Sequence, residues 1–267
     1  ARCLQRSGVK RQQSLHRQIS ISSVCRQQQP TVLASSNGEE GDLMRTYTNT
    51  KISYATTVSD FHLVADRIHD LVEREAKGEN AKKLAFAFPH QQVNLTFGEV
   101  GQRVDAMVQN LLGLGLQKGD RIALALPNNH ELVTIFLAAS KLGLVAVLMN
   151  PAYQLVEFEY MLKKVNARAL FIYDSFKILN HMNLMNKLCP ELEHSPVGEL
   201  KSKALPDLRH VIVLNSPLTP ERKTYKGTWQ YTEFSKPKSQ SLNPADLPYI
   251  DLEDPGLILF TSGTTGI

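Results

Sequence analysis

The hydroxyl and glycine residues that end the sequence have the composition of a phosphate-binding loop. An apolar run at 257–260 precedes six residues that combine four hydroxyls with two glycines, namely Thr261, Ser262, Gly263, Thr264, Thr265 and Gly266. Glycine lets the backbone turn sharply and approach a ligand closely, and consecutive amide N–H groups form a concavity that binds anions. The hydroxyls add neutral donors that can follow a polyphosphate chain. We therefore predict a nucleotide phosphate site at these six residues.

Two other phosphate-binding motifs do not fit this loop. A Walker loop requires a lysine directly after its last glycine, and none is present here. A dinucleotide fingerprint requires GxGxxG between a strand and a helix, but Gly113, Gly115 and Gly119 are spaced differently and follow a helical pattern. A polar surface turn or flexible linker is the alternative. The apolar run and its Asp-Pro-Gly entry turn at 254–256 favour a strand followed by a binding loop.

Alternating strand and helix patterns must position this loop. The predicted strands cover 84–88, 91–95, 121–126, 144–149, 169–173 and 210–214, and the predicted helices cover 60–77, 96–112, 130–142, 155–165 and 176–188. Nearly continuous apolar strands between helices predict an α/β fold whose mainly parallel sheet is covered by helices on both faces. Residues 215–253 are predicted to be an irregular excursion, anchored near Trp229. Ligands bind at the carboxyl ends of strands in such sheets, where the loop would lie.

The first 38 residues carry a charge pattern unlike the rest of the chain. They contain six Lys or Arg and no acid, whereas the remainder has 24 basic and 26 acidic residues. A leader rich in Arg, Ser and Gln is typical of a mitochondrial transit peptide, and a disordered basic tail is the alternative. We therefore predict a transit peptide or disordered leader at 1–45. The near-neutral body gives no support for nucleic-acid binding.

Three further composition features restrict the class of protein. The apolar stretch at 132–149 contains Lys141 and Gly143, so we predict a buried helix and strand and no transmembrane segment. Three cysteines without a CxxC pair do not predict a disulfide framework or a zinc site. His62 and His69 are seven residues apart, which does not favour a shared metal site on one helix. The sequence predicts no metal-ligating residue.

Several segments resemble the adenylate-forming (AMP-binding) superfamily. The loop at 261–266 is similar to that family's Ser/Thr-Ser-Gly-Ser/Thr-Thr-Gly motif, in which a variable residue and then Pro-Lys-Gly follow. Residues 95–100 resemble its L-T-Y-x-E-L segment, and 118–123 resemble its K-G-D-R-V-A turn and strand. Residues 141–151 resemble its K-x-G and N-P stretch. The resemblance covers about 55–266 and is closest to the fatty acid–CoA ligases of that superfamily.

This resemblance implies a fold, an activity and a set of small-molecule partners. The expected fold is the N-terminal part of the family's large domain, spanning 55–267, incomplete and cut within the phosphate loop. The expected reaction joins a medium-chain fatty acid to coenzyme A with ATP and Mg²⁺ in the mitochondrial matrix. The six loop residues would bind ATP. No other residue matches a catalytic motif, because the family's later segments are not represented, so we expect the 267-residue chain alone to be inactive.

Two other functions are alternatives to a fatty acid–CoA ligase. An amino-acid adenylation domain or a luciferase-like enzyme would share the phosphate loop, since the residues that select the acid lie later in the family. A non-catalytic truncated product is the second alternative. The downstream reading frame distinguishes them, because a continuing Pro-Lys-Gly would indicate a longer enzyme.

Overall fold

The structure, a computed structural model, describes residues 67–217, 222–239 and 241–261. Within them the helices and strands follow in this order: α1 (Ile68–Lys77), β1 (Leu84–Phe88), β2 (Val93–Thr96), α2 (Phe97–Gly113), β3 (Arg121–Ala125), α3 (His130–Lys141), β4 (Val145–Leu148), α4 (Leu155–Lys164), β5 (Ala169–Tyr173), β6 (Ser175–Phe176), β7 (Leu179–Asn180), α5 (His181–Leu188), β8 (His210–Leu214), β9 (Trp229–Gln230), α6 (Tyr231–Phe234) and β10 (Leu257–Leu259). The predicted leader at 1–45 lies outside the described residues, and so does the first part of the helix predicted at 60–77.

A six-stranded parallel sheet organises the described part of the chain. Its strand order is β10-β4-β3-β5-β8-β9, and every neighbouring pair is parallel. Strands β1 and β2 form a separate antiparallel hairpin. Because β4 and β5 flank β3 on opposite sides, the chain reverses its direction across the sheet after β4. The carboxyl ends beside this reversal are where ligands bind in open parallel sheets.

Helices cover both faces of the sheet, as the strand composition predicts. Ile122 and Leu124 of β3 face a core that includes residues of α2 and α3. Ala123 and Ala125 face the opposite core, which includes residues of α4 and α5. All four strand residues are 1% exposed or less, which explains why β3 has an apolar residue at every position after Arg121. The prediction of an α/β fold with helices on both faces is confirmed.

Local capping signals set the starts of the two helices on the first face. The Thr96 hydroxyl accepts from the Glu99 N–H at 3.3 Å, and the Glu99 carboxylate accepts from the Thr96 N–H at 2.8 Å. This reciprocal pair is a capping box, which starts α2. The Asn129 side chain caps α3 by accepting from the Leu132 N–H at 2.8 Å. Gly143 follows α3 with φ +62, the left-handed conformation that commonly ends a helix.

Two segments differ from the sequence prediction. The helix predicted at 176–188 begins only at His181, and the residues before it form the β6–β7 hairpin. Asn180 caps α5 by accepting from the Asn183 N–H at 2.8 Å, so the chain before it is free to pair as strands. The predicted anchor near Trp229 is strand β9, which extends the sheet beside β8.

The apolar stretch at 132–149 divides into most of α3 and all of β4, both largely buried in the domain. In the part of the chain that the structure describes, no helix has the length and apolarity needed to cross a membrane.

Candidate functional site

The predicted phosphate loop begins at the carboxyl end of β10. Leu257 of β10 pairs with Ala146 of β4, and Leu259 pairs with Leu148. Thr261, two residues beyond the strand, is exposed to solvent. The other predicted loop residues, Ser262, Gly263, Thr264, Thr265 and Gly266, lie outside the described residues. The described geometry therefore places the start of the loop at the expected edge, and the roles of all six residues stay predictions.

The turn that leads into β10 is tied to the turn before β3. The Lys118 ammonium lies 2.6 Å from the Asp254 carboxylate and donates to the Tyr249 carbonyl at 3.0 Å. The hydrogen bond from Lys118 lowers the pKa of Asp254 below its usual value. The Asp251 N–H also donates to the Asp254 carboxylate at 2.6 Å. These contacts hold the turn that leads into β10 against the turn that leads into β3.

Buried polar groups join the ends of β3 and β5 at the same edge. Asn129, which follows β3, is fully buried, and its amide donates to the Tyr173 hydroxyl at 2.9 Å. Tyr173 is the last residue of β5, and burial raises its pKa. Because Asn129 also caps α3, one side chain connects a helix start, a strand end and a neighbouring strand. A buried amide whose oxygen and nitrogen are both hydrogen-bonded favours a rigid edge.

Asp174 holds the excursion after β8 against the end of β5. Its side chain is 2% exposed and accepts from the Ser216 N–H at 2.8 Å, the Tyr225 hydroxyl at 3.2 Å and the Asn215 amide at 3.4 Å. Burial and the charge of Asp174 raise the pKa of Tyr225 to about 12. The phenol therefore stays protonated and donates to the carboxylate. A carboxylate with several donors is a stable element at the carboxyl end of β5.

Asp174 and His181 also lie at this edge, although neither was predicted from the sequence to do so. Asp174 follows an apolar strand directly, and a polar residue in that place is the signal that could have identified it. His181 had no such signal, because its partners are Tyr173 and Pro151, the latter 30 residues earlier in the chain.

Thr261 is the described loop residue at this edge, and its chemistry suits a phosphate. Within the described residues no group of three His, Cys, Asp or Glu side chains could hold a metal ion. Thr261 offers a hydroxyl and a backbone N–H, which suit phosphate oxygens. A magnesium ion is commonly held by one or two carboxylates together with substrate phosphates. The residues present at this edge therefore fit a nucleotide that brings its own metal-binding oxygens.

Other chemically capable residues have structural roles. Burial raises the pKa of the Cys189 thiol to about 11, so this thiol is unreactive. His69 is buried beside the Ser140 hydroxyl at 3.2 Å, and burial lowers its pKa. Burial opposes the charge of Lys141, but hydrogen bonds to Asp105 and Glu73 raise its pKa above the usual value. Lys141 therefore joins helices and is not available for chemistry at the edge.

Comparison with protein-family models gives a match to the AMP-binding enzyme family over residues 72–267. The medium-chain acyl-CoA ligase ACSF2, mitochondrial, of Rattus norvegicus is 35% identical over 219 residues, which are 80% of this chain and 34% of the relative. The Homo sapiens protein of the same name is 36% identical over the same number of residues. The chain thus spans about a third of the length of the curated relatives it matches.

Solved structures agree with the fold. The anthranilate CoA ligase AuaEII, in complex with anthranoyl-AMP, superposes with a TM-score of 0.59 at 23% identity, covering 77% of this chain and 34% of that one. Acetoacetyl-CoA synthetase from Streptomyces lividans superposes with a TM-score of 0.59 at 20% identity, covering 75% of this chain and 29% of that one. These likenesses identify the sheet and its helices as the N-terminal part of the adenylate-forming fold. The family-model match over residues 72–267, together with the relatives at 35% and 36% identity, shows that the chain belongs to the AMP-binding enzyme family.

Proposed function

We propose that the protein to which this chain contributes is an acyl-CoA ligase that acts on medium-chain fatty acids in the mitochondrial matrix. In the first step a carboxylate oxygen attacks the α-phosphorus of ATP, and the bond to the β-phosphate oxygen breaks, which releases pyrophosphate. In the second step the thiolate of coenzyme A attacks the acyl carbon, and the bond to AMP breaks. The products are acyl-CoA, AMP and pyrophosphate.

The first step sets the demands on the loop. Two anions must approach each other, and negative charge increases on the departing pyrophosphate. Hydrogen-bond donors that are already in place stabilise this charge without reorganising. Thr261, Ser262, Thr264 and Thr265, with the backbone of Gly263 and Gly266, would supply donors to the β- and γ-phosphates. Magnesium would neutralise part of the phosphate charge when it is bound with the nucleotide.

One observation carries the proposal, the position of Thr261 two residues beyond β10 at the carboxyl edge of a parallel sheet. Ligands of open parallel sheets bind at this edge. The relatives' names supply the substrate class, since the Rattus norvegicus and Homo sapiens proteins are called medium-chain acyl-CoA ligases at 35% and 36% identity. These two facts together favour a fatty acid over an amino acid as the group that ATP activates.

A pyrophosphate-release assay on the complete polypeptide encoded by the gene tests the substrate class. The panel should include carboxylic acids of short, medium and long chain, together with amino acids, and ATP and coenzyme A should be supplied throughout. We expect turnover to be highest with medium-chain fatty acids and to produce a thioester. Turnover with amino acids alone would contradict the proposal and would support an amino-acid adenylation domain.

A further inference from the structure

Three arginines lie side by side at the amino-terminal edge of the parallel sheet. Arg121 is the first residue of β3, and Arg168 and Arg209 directly precede β5 and β8, the next two strands of the sheet. The Arg168 N–H donates to the Arg121 carbonyl at 2.9 Å, and the Arg209 N–H donates to the Arg168 carbonyl at 2.9 Å. The three residues, which we call the arginine row, therefore occupy matching positions on strands about 4.8 Å apart.

Backbone carbonyls hold the two outer guanidinium groups of the arginine row. Arg121 donates from Nε to the Val165 carbonyl at 2.6 Å and from Nη2 to the Asn166 carbonyl at 2.8 Å, both just beyond α4. Arg209 donates from Nη1 to the Pro206 carbonyl at 2.5 Å. A carbonyl carries no net charge, so these contacts hold the guanidinium groups in place without neutralising them.

Arg168, in the middle of the arginine row, has two carboxylates near it but outside hydrogen-bond distance. Its Nε lies 3.6 Å from the Asp120 carboxylate, and its Nη1 lies 3.8 Å from the Asp207 carboxylate. Hydrogen bonds of this type span about 2.7–3.2 Å. Among the described residues these two contacts are the ion pairs of the row, so three guanidinium groups face two carboxylates. Because the Arg168 side chain is 40% exposed, its N–H groups can reach a ligand.

Two depressions in the surface adjoin the arginine row. One, of about 290 Å³, has Arg168 and Arg209 in its lining. The other, of about 370 Å³, has Asp207 and Lys203 in its lining, and Lys203 adds a further positive charge beside the row. An anion the size of phosphate therefore has room next to the guanidinium groups.

We infer that the arginine row binds a phosphate-type anion, either a free phosphate or the headgroup of an anionic phospholipid. A phosphate monoester has three acceptor oxygens and a charge of about −1.5 to −2, so it can accept from more than one guanidinium group. The fork of a guanidinium also matches two phosphate oxygens at once. Because carbonyls already hold Arg121 and Arg209, binding restricts few further side-chain rotations. The inference does not rest on the proposed function, since Thr261 lies at the opposite edge of the sheet.

Two binding measurements on the complete polypeptide, both at low ionic strength, test the site. Calorimetry with inorganic phosphate detects binding of a free anion. Sedimentation with phosphatidylcholine vesicles, with and without phosphatidylglycerol, detects binding of a lipid headgroup. Binding of inorganic phosphate alone would support a free phosphate as the ligand, whereas binding that requires phosphatidylglycerol would support the headgroup. Absence of binding in both measurements would overturn the inference.

Substitution of Arg168 shows whether the binding belongs to the arginine row. Arg168→Gln removes the middle guanidinium, and we expect it to weaken binding about tenfold in whichever measurement the natural protein binds. Arg168→Lys keeps the charge but lacks the fork, so we expect an intermediate affinity. If Arg168→Gln does not fold, Arg168→Lys decides the question, because an affinity equal to that of the natural protein would contradict recognition by the fork.

Arg103→Gln is the matched control, because it removes the same charge from an exposed arginine of α2. Arg103 lines a different depression together with His130, which begins α3 beyond the carboxyl end of β3. We expect this variant to bind as tightly as the natural protein. Equal losses from Arg168→Gln and Arg103→Gln would show that binding follows net charge. An unchanged affinity in Arg168→Gln would place the anion elsewhere on the molecule, and either result would overturn the inference.

Discussion

Lys141 is a buried cation whose partners come from two other helices. Its ammonium lies 3.1 Å from Glu73 of α1 and 2.8 Å from Asp105 of α2, and its side chain is 8% exposed. Removing a buried charge partner leaves the remaining carboxylates without compensation. Because the carboxylates of Glu73 and Asp105 are 36% and 46% exposed, water screens part of this loss. We expect Lys141→Met to lower the free energy of unfolding by about 1–3 kcal/mol.

Lys77→Met is the matched control, since Lys77 also pairs with Glu73 but is 72% exposed. It should change the free energy of unfolding by about 0.5 kcal/mol or less. Urea unfolding of both variants measures the difference. Equal losses from the two variants would contradict a special role for burial at Lys141.

The same residues predict a pH dependence. A hydrogen bond from Lys77, and then one from Lys141, lower the pKa of Glu73, while partial burial opposes them. An acid with a lowered pKa contributes stability above its unfolded-state pKa and loses it as the pH falls through the folded-state value. We therefore expect the difference between the natural chain and Lys141→Met to shrink in acid. A difference that grows as the pH falls would show that the sign of this linkage is wrong.

Residues differ in how far their roles can be predicted from the sequence. The phosphate loop can be predicted from the sequence because the residues that would bind phosphate are consecutive, at 261–266. Asp174 and His181 acquire their roles only when strand ends come together, with Ser216 lying 42 residues from Asp174 in the chain. Sequence spacing carries no information about such contacts. For this reason the sequence supports a prediction of the loop but not of the polar contacts at the end of β5.

At the scale of elements, Gly227 fixes how the excursion after β8 packs on the domain. Its φ is +69, and a Cβ at this position would lie 1.9 Å from the Leu192 carbonyl oxygen. Gly227→Ala therefore combines a left-handed backbone with a direct overlap. Gly115→Ala is the matched control, because Gly115 has φ +72 and no atom within 4 Å of the added Cβ.

We expect Gly115→Ala to cost about 1–2 kcal/mol of unfolding free energy from the backbone alone. Gly227→Ala should cost about 1–3 kcal/mol more, because the overlap forces the excursion away from Leu192. Thermal and urea unfolding of the two variants provide the comparison. If the two losses are equal, the contact between the excursion and Leu192 is not tight.

Some elements could be predicted from the sequence because burial dictates their residue types, whereas others depend on the local geometry of a turn. Strands β3, β5 and β8 were predictable because both of their faces are buried and nearly every residue is apolar. The β6–β7 hairpin was not, because Phe176, Ile178 and Leu179 also suit an amphipathic helix. In the turn between these strands Lys177 has φ +54, a value that non-glycine residues seldom adopt. The residue types in this segment do not predict such a conformation.

At the scale of the whole molecule, the charge distribution predicts a mitochondrial targeting signal. The first 38 residues have six basic side chains and no acid, whereas the rest has 24 basic and 26 acidic residues. Residues 1–45 fused to a fluorescent reporter should enter mitochondria and be cleaved, as expected for an Arg-rich leader without acids. A control in which the six basic residues are replaced by Gln should stay in the cytosol. If the reporter fused to the natural leader were diffuse in the cell and uncleaved, the predicted targeting signal would be wrong.

The family match and the fold make the phosphate loop after β10 the central claim. Exchange of labelled pyrophosphate into ATP, dependent on a medium-chain fatty acid, measures adenylate formation directly. In the complete polypeptide, Thr264→Ala or Thr265→Ala should slow this exchange by about tenfold to a hundredfold, since a hydrogen bond to a charged phosphate contributes about 1.5–3 kcal/mol. Thr232→Ala, an exposed threonine on α6 at the opposite end of the strand order, should leave it unchanged. The 267-residue chain alone should show no exchange. Fatty-acid-dependent exchange that both loop variants leave at the natural rate would contradict the account.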